Sequence, residues 1–209
     1  PAPDPEAAHY QGGDYREKRK LDQLHLLIGL PGFGLRDPDY FAAMVHATIL
    51  GGGMSSRLFQ EVREKRGLVY SIHSYNAAYE DAGVYGIYAG TGEKRAAELV
   101  PVVFDELARM ADGVSPEELA RGKTQMKSAL LMSLESPGSR CDQLAQPMLI
   151  FGRPLEVMEL TEKIEAVDDA ALRAVSKRML DGALTTAAIG PIGKLEGHDA
   201  MAARLGARA

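Results

Sequence analysis

Leu24, Leu26, Ile28 and Leu30 alternate with His25, Leu27 and Gly29, a period of two that predicts a strand over residues 22–30 with one wholly apolar face. Pro31, Gly32 and Gly34 are expected to end it. The period then changes. Tyr40, Phe41, Met44, Val45, Thr48 and Ile49 recur at helical spacing behind Asp37-Pro38, a pair suited to a cap and first turn, and the helix runs to the triplet Gly51-Gly52-Gly53. Past the glycines, Ser55 or Ser56 can cap a helix whose apolar stripe is Leu58, Phe59 and Val62. Arg57, Gln60, Glu61, Glu64 and Lys65 lie mostly off that stripe, so this is a surface helix docked by one face. Gly67 stands where a helix ends in a left-handed residue, and Leu68, Val69 and Tyr70 resume as strand. Residues 69–79 and 84–91 then read as a hairpin turning at Glu80-Asp81-Ala82-Gly83. Small residues recur in it, among them Ser71, Ser74, Ala77, Gly86 and Gly90, which predicts close approach of another group to one face.

From Glu93 the spacing is helical. Ala96, Val100, Val103, Phe104, Leu107 and Met110 share a face, with a kink expected at Pro101. Ser115-Pro116-Glu117-Glu118 combines a Ser cap, Pro at the first helical position and a capping-box Glu, opening a helix to Leu134. Ser136-Pro137 opens another, ending near Gly152 with a bend expected at Pro147. Residues 155–167 and 168–180 add two more, and residues 184–190 return as a strand. Tyr10 to Arg16 reads as a polar edge strand interrupted by Gly12 and Gly13. Hairpin strands, then a block of helices, then one strand that must rejoin the sheet predict an α+β fold, a largely antiparallel sheet covered on one face by helices. The expected organisation is a mobile arm over residues 1–8 and a single domain over residues 9–209.

Of the 209 residues, 45% are apolar and 25% charged, ordinary for a soluble globular chain, and the net charge of -5 argues against a general nucleic-acid binder. The single cysteine, Cys141, excludes an intrachain disulfide and a multi-cysteine metal site, and reads as a small buried hydrophobe. No stretch has the run of about 18 apolar residues that a membrane span needs. The chain begins with Pro rather than Met, as a processed product or a piece of something longer would.

The candidate chemistry narrows by elimination. His9, His25, His46, His73 and His198 are scattered, and none forms an i,i+4 pair around a Glu. His25 and His73, on expected strands, read as satisfied core or surface residues. The glycine triplet suggests a phosphate cradle at a helix start, but it lacks the Lys-Ser/Thr of a P-loop and the spacing of a dinucleotide fingerprint, so structural use is the better reading. No Gly-x-Ser-x-Gly elbow is present. Arg63 and Tyr70 remain. A guanidinium with a fixed fork of donors and a phenol able to donate to a developing oxyanion suit carbonyl recognition, although an Arg near a helix end and a Tyr at a strand start are more often structural.

The segments LGGGMSSRLFQEVREKRGLVYSIHSY (Leu50 to Tyr75) and GVYGIYAGT (Gly83 to Thr91) closely resemble the C-terminal half of the pitrilysin-like zinc peptidases, the inverzincin family that includes insulin-degrading enzyme and mitochondrial processing peptidase. LLMSLESPGSRCDQLA (Leu130 to Ala145) and FGRPLEVMELTEKIEAV (Phe151 to Val167) look like the same half of bacterial processing-peptidase-like members. The resemblance covers nearly the whole chain after the arm. It implies one half of a two-halved peptidase chamber. In such an enzyme the other half holds zinc on an inverted His-x-x-Glu-His helix, whose Glu is the general base. This half would supply an Arg and a Tyr seven residues apart, a spacing matched by Arg63 and Tyr70. By that pattern Arg63 holds the peptide near the scissile carbonyl, and Tyr70 donates to the carbonyl or the tetrahedral oxyanion.

The chain departs from the pattern in having no His-x-x-Glu-His. On this reading it is inactive alone and holds no zinc itself. Its expected partners are a zinc-bearing N-terminal half or partner subunit and a peptide substrate, with no nucleic acid and no membrane span. The long glycine-rich loop of the non-catalytic processing-peptidase subunit is absent, and Pro101 and Pro147 are unusual within the aligned helices. The rival reading is a non-catalytic assembly or peptide-binding subunit of the same fold, like the core proteins of the respiratory cytochrome complex. The expected address is cytoplasmic, with periplasmic as the alternative.

Overall fold

The computed structural model describes residue 6 and residues 8–206, so most of the arm expected over residues 1–8 lies outside the described residues. Strands β1 (Gly13–Lys18), β2 (Leu24–Gly32), β3 (Val69–Ala78), β4 (Gly83–Thr91) and β5 (Thr185–Gly190) form one sheet in the order β1-β5-β2-β4-β3. All pairings are antiparallel except β1 with β5, which run parallel. The late strand thus rejoins the sheet in its middle rather than at an edge, placing its alternate residues Thr186 and Ala188 in the buried layer.

The helices are α1 (Tyr40–Gly51), α2 (Ala96–Asp112), α3 (Pro116–Ser133), α4 (Pro137–Phe151), α5 (Val157–Glu165), α6 (Asp169–Leu180) and α7 (His198–Gly206). No helix among the described residues is long and apolar enough to cross a membrane. The helical layer covers the face that carries Leu24, Leu26, Ile28 and Leu30 of β2 with Tyr85, Ile87 and Ala89 of β4, all buried. Burial of alternate residues is what the period-two pattern requires. The capping box at Ser115 and Glu118 forms as expected, α4 ends at left-handed Gly152, and Asp168 caps α6. Both α2 and α4 run through their internal prolines. Helix α7 was not anticipated, because Met201 and Leu205 give it only two buried positions.

Several expectations are corrected. Strand β2 continues through Pro31 to Gly32, since Pro31 faces Val84 on β4 and Gly32 faces Gly83. Helix α1 starts at Tyr40, not Pro38. Asp37 accepts from the Asp39 N–H at 2.9 Å and from the Arg178 guanidinium at 2.8 Å, closing a turn instead of capping the helix. The stripe expected on α1 is also displaced. Ala42, Ala43, Val45, His46, Ala47, Ile49 and Leu50 are buried, whereas Tyr40, Phe41, Met44 and Thr48 are only half-buried. Helix α1 lies between the sheet and the helices α3 and α6, so nearly every side of it is covered.

The glycine triplet closes α1 and does not open the next helix. A Cβ at Gly51 would stand 2.5 Å from the backbone N of Ser74 and 2.6 Å from its Oγ, so glycine is what lets α1 lie against β3. The Ser74 hydroxyl donates to the Ala47 carbonyl at 2.9 Å, fixing the same contact. At Gly53 the nearest group is the flexible end of Gln125. Gly51→Ala is therefore expected to cost about 2–3 kcal/mol in urea unfolding and Gly53→Ala less than about 1 kcal/mol. Equal costs at the two positions would refute the packing account.

Candidate functional site

The segment between α1 and β3 carries the two candidate residues. Arg57 and Leu58 begin a helical turn that widens to a π-helix over Phe59–Glu64, where the Lys65 N–H reaches back five residues to the Gln60 carbonyl at 2.9 Å. Such turns occur often at functional sites. Leu58 and Val62 are fully buried and anchor it by one face, while Phe59, the third residue of the expected stripe, is only half-buried. The expected serine cap is not made. The Ser56 hydroxyl instead donates to the Gly53 carbonyl at 2.6 Å, which closes the preceding turn. The start of the helix is held by Arg57, whose guanidinium makes a two-pronged bond to Glu118 at 2.8 and 2.9 Å and donates to the Gly113 carbonyl at 3.1 Å. That pairing holds the Glu118 carboxyl below its ordinary range, and Glu118 also completes the capping box of α3. One carboxylate therefore ties the segment to the helical layer.

The exit is equally specified. Gly67 takes a left-handed φ of 58° and donates to the Arg63 carbonyl at 3.0 Å, while Leu68 donates to the Val62 carbonyl at 2.9 Å. This double bond satisfies the last helical carbonyls and turns the chain into β3. The Thr91 hydroxyl at the end of β4 donates to the Leu68 carbonyl and holds the turn against the sheet.

Arg63 lies in the last helical turn, exposed, with its guanidinium 4.8 Å from the centroid of the Phe59 ring. Stacking on an aromatic face orients the fork without occupying its N–H donors. Tyr70 stands where the β3–β4 register breaks: Val69 faces Thr91 and Ser71 faces Gly90, leaving Tyr70 as the extra residue of a bulge. A bulge re-aims a side chain out of the pleat, and Tyr70 is 65% exposed although it follows a buried valine. No hydrogen bond or ion pair among the described residues engages either side chain.

Below the bulge, β3 presents Ser71, His73 and Tyr75 on the sheet face opposite the helices. His73 packs against Tyr75 and Tyr88 with ring centroids 6.0 and 5.1 Å apart, and the His25 Nδ1 is hydrogen bonded to the Tyr88 hydroxyl at 2.7 Å. The sequence separates these residues onto three strands, and only the registry of β2, β4 and β3 gathers them. The small residues of the hairpin serve this packing: a Cβ at Gly86 would overlap the Tyr75 ring at 2.4 Å. His25 and His73 are thus surface residues on one face. His46 is the core histidine, fully buried, with Nδ1 2.8 Å from the Tyr85 hydroxyl and Nε2 3.0 Å from the Ser176 hydroxyl.

One further reading changes. Cys141 is exposed on α4, not buried. Helix α4 has no buried residue, and it borders a cleft of about 980 Å³ shared with α1, α3 and α5 that includes neither Arg63 nor Tyr70.

The model of a protein family described as the peptidase M16 inactive domain matches residues 1–126. An uncharacterized zinc protease of Streptomyces coelicolor is 36% identical over 188 residues, which cover 88% of this chain and 41% of that protein. The uncharacterized zinc protease YmxG of Bacillus subtilis is 34% identical over 85% of this chain and 44% of its own. This chain therefore spans under half the length of these relatives. Among solved structures, a chain of Complex III2 from Candida albicans with Inz-5 bound superposes with a TM-score of 0.87 at 24% identity, over 97% of this chain and 51% of that one, a likeness of fold. The chain belongs to the peptidase M16 family, as its inactive domain.

Proposed function

We propose that this chain is the substrate-binding half of a zinc metalloendopeptidase, contributing Arg63 and Tyr70 to a site whose zinc and general base come from another half or subunit. The observation that carries the reading is the bulge at Tyr70, whose exposed phenol, like the Arg63 guanidinium seven residues earlier over the Phe59 ring, has no hydrogen-bond or ion-pair partner among the described residues. Membership of the inactive domain of a peptidase family, with relatives named as zinc proteases, supports it.

The residues present do not suit zinc: among the described residues no group of three or more His, Cys, Asp or Glu could hold a metal. What this half can do follows from its own donors. The fork of Arg63 can take two N–H···O bonds to peptide carbonyls and fix the segment in register. The phenol of Tyr70 can donate to the carbonyl oxygen of the bond under attack, and its bond strengthens as negative charge collects there.

The test is zinc content and cleavage of a quenched generic peptide, by this chain alone and combined with the zinc-bearing half of its parent or partner. About one zinc per complex and turnover confined to the combination are expected. A combination that binds no zinc and cleaves nothing would overturn the reading in favour of a non-catalytic assembly subunit.

A further inference from the structure

We propose that His25, Tyr88 and His73, on the open face of the sheet below Tyr70, form a subsite that receives a carboxylate side chain of the bound peptide. The inference rests on the substrate-binding reading above and names a specificity that reading leaves open.

The residues make one built surface rather than three chance neighbours. Tyr88 is central on β4, with His25 bonded to its hydroxyl at 2.7 Å from β2 and His73 packed on its ring at 5.1 Å from β3. Gly90 lies beside them. A Cβ there would stand 3.0 Å from Ser71 Oγ, 3.1 Å from Gln23 Oε1 and 3.3 Å from the Tyr88 hydroxyl, so three polar groups converge over a position with no side chain. Ser71 follows Tyr70 directly in the chain, which makes this floor continuous with the bulge.

The chemistry selects an anion. His25 uses only Nδ1, and no hydrogen bond among the described residues uses either ring nitrogen of His73, so His73 keeps a ring N–H and the His25–Tyr88 pair keeps one donor, the His25 Nε2–H or the Tyr88 hydroxyl according to the imidazole tautomer, for an acceptor. Imidazole N–H and hydroxyl groups donate to carboxylates, and bonds to a charged acceptor are about twice as strong as neutral ones. On this face Glu17 of β1 stands two strands from His25, with Ile189 of β5 between them. It is already bonded to Arg19 at 2.6 Å and to the Tyr15 hydroxyl at 2.9 Å. His73 is three residues beyond Tyr70, about 10 Å along a strand at ~3.3 Å per residue. An extended peptide held at Tyr70 would therefore present its side chain within about three positions of the cleaved bond.

The experiment uses the assembled enzyme and peptide pairs that differ by Glu against Gln at one position, walked along four positions on each side of the bond. A Glu preference in kcat/KM of about tenfold is expected at one position, lying mostly in KM. It should fall to about onefold in His25→Gln/His73→Gln, and by less in Tyr88→Phe, which removes only the hydroxyl. Should the double variant fail to fold, the wild-type ring proton resonances of His25 and His73 on addition of a non-cleavable Glu peptide decide the matter: both should shift, and the Gln peptide should leave them in place. Equal use of Glu and Gln at every position, or a preference that survives the double variant, overturns the subsite. Tyr70→Phe in the same assay separates the two claims. If it abolishes turnover while the Glu/Gln ratio is one, the subsite fails and the substrate-binding reading stands. If the assembly cleaves neither peptide and the ring resonances do not respond, both fail.

Discussion

Tyr70→Phe should lower kcat of the assembled peptidase by about 100-fold or more while leaving KM within a few-fold of wild type. Removing one donor to a developing oxyanion typically costs that much, and a bond that tightens only as charge develops is lost from kcat rather than from ground-state binding. The variant should fold normally, because the hydroxyl has no hydrogen-bond partner among the described residues and the ring is 65% exposed. Arg63→Lys makes the complementary case. It keeps the charge but loses the fork and the planar stack on Phe59, so its loss should fall chiefly in KM. Steady-state kinetics on the assembled halves, with melting curves as a control for folding, checks both. Unchanged turnover in Tyr70→Phe would remove Tyr70 from the site.

The second large effect is acid destabilisation through His46. Unfolded, this imidazole takes up a proton below its ordinary value of 6.5; in the fold, burial keeps it neutral down to about 3, with Arg57 nearby adding to the penalty for charge. Between those limits the unfolded chain binds one more proton than the native one, so stability falls as the pH is lowered, by about 1.4 kcal/mol per unit where the difference is complete. The contribution is fully present above about pH 6.5. Depressed carboxylates such as Asp37 and Glu118 act in the same direction, but only below their own ordinary values of 3.8 and 4.5. The interval from pH 6 to pH 5 lies above those carboxylates, and there the Glu106 carboxyl, which burial pushes up, works in the opposite sense, so the histidine is read from the difference between wild type and His46→Gln. Urea unfolding across that interval should show a slope that His46→Gln flattens by about one proton, and the variant should also be less stable at neutral pH because Tyr85 and Ser176 lose a partner. A slope unaltered by the substitution would mean that another group governs acid stability.

Much of the architecture was readable because it is written in local spacing. Leu24, Leu26, Ile28 and Leu30 declare a strand with one buried face whatever lies beside it. Ser115 with Glu118 declares a helix start because the two side chains satisfy backbone groups within one turn. Gly67 is legible for the same reason, since a left-handed exit favours glycine. Where reading failed, the deciding partner was distant in the chain. The spacing of α1 could not reveal that it is enclosed on both sides, because α3, α6 and β3 provide those sides. Cys141 looked buried but lies on a helix that buries nothing. Ser56 is the local exception: its hydroxyl bonds back to Gly53, three residues away, instead of capping the helix ahead.

The site divides along the same line. The sequence by itself determined the Arg63–Tyr70 spacing, the amphipathic turn before Gly67 and the resemblance that singled out that pair. These depend on residue identity and on contacts a few positions apart. Only the tertiary structure decided that Tyr70 is the extra residue of a bulge, since a bulge is defined by the register of β3 against β4, and strand register is a long-range property. It likewise decided which histidine is core and which are surface. His46 meets Ser176 from 130 residues away, and His25 meets Tyr88 from 63 residues away. The first encounter exists only once α1 packs against α6, and the second only once β2 pairs with β4.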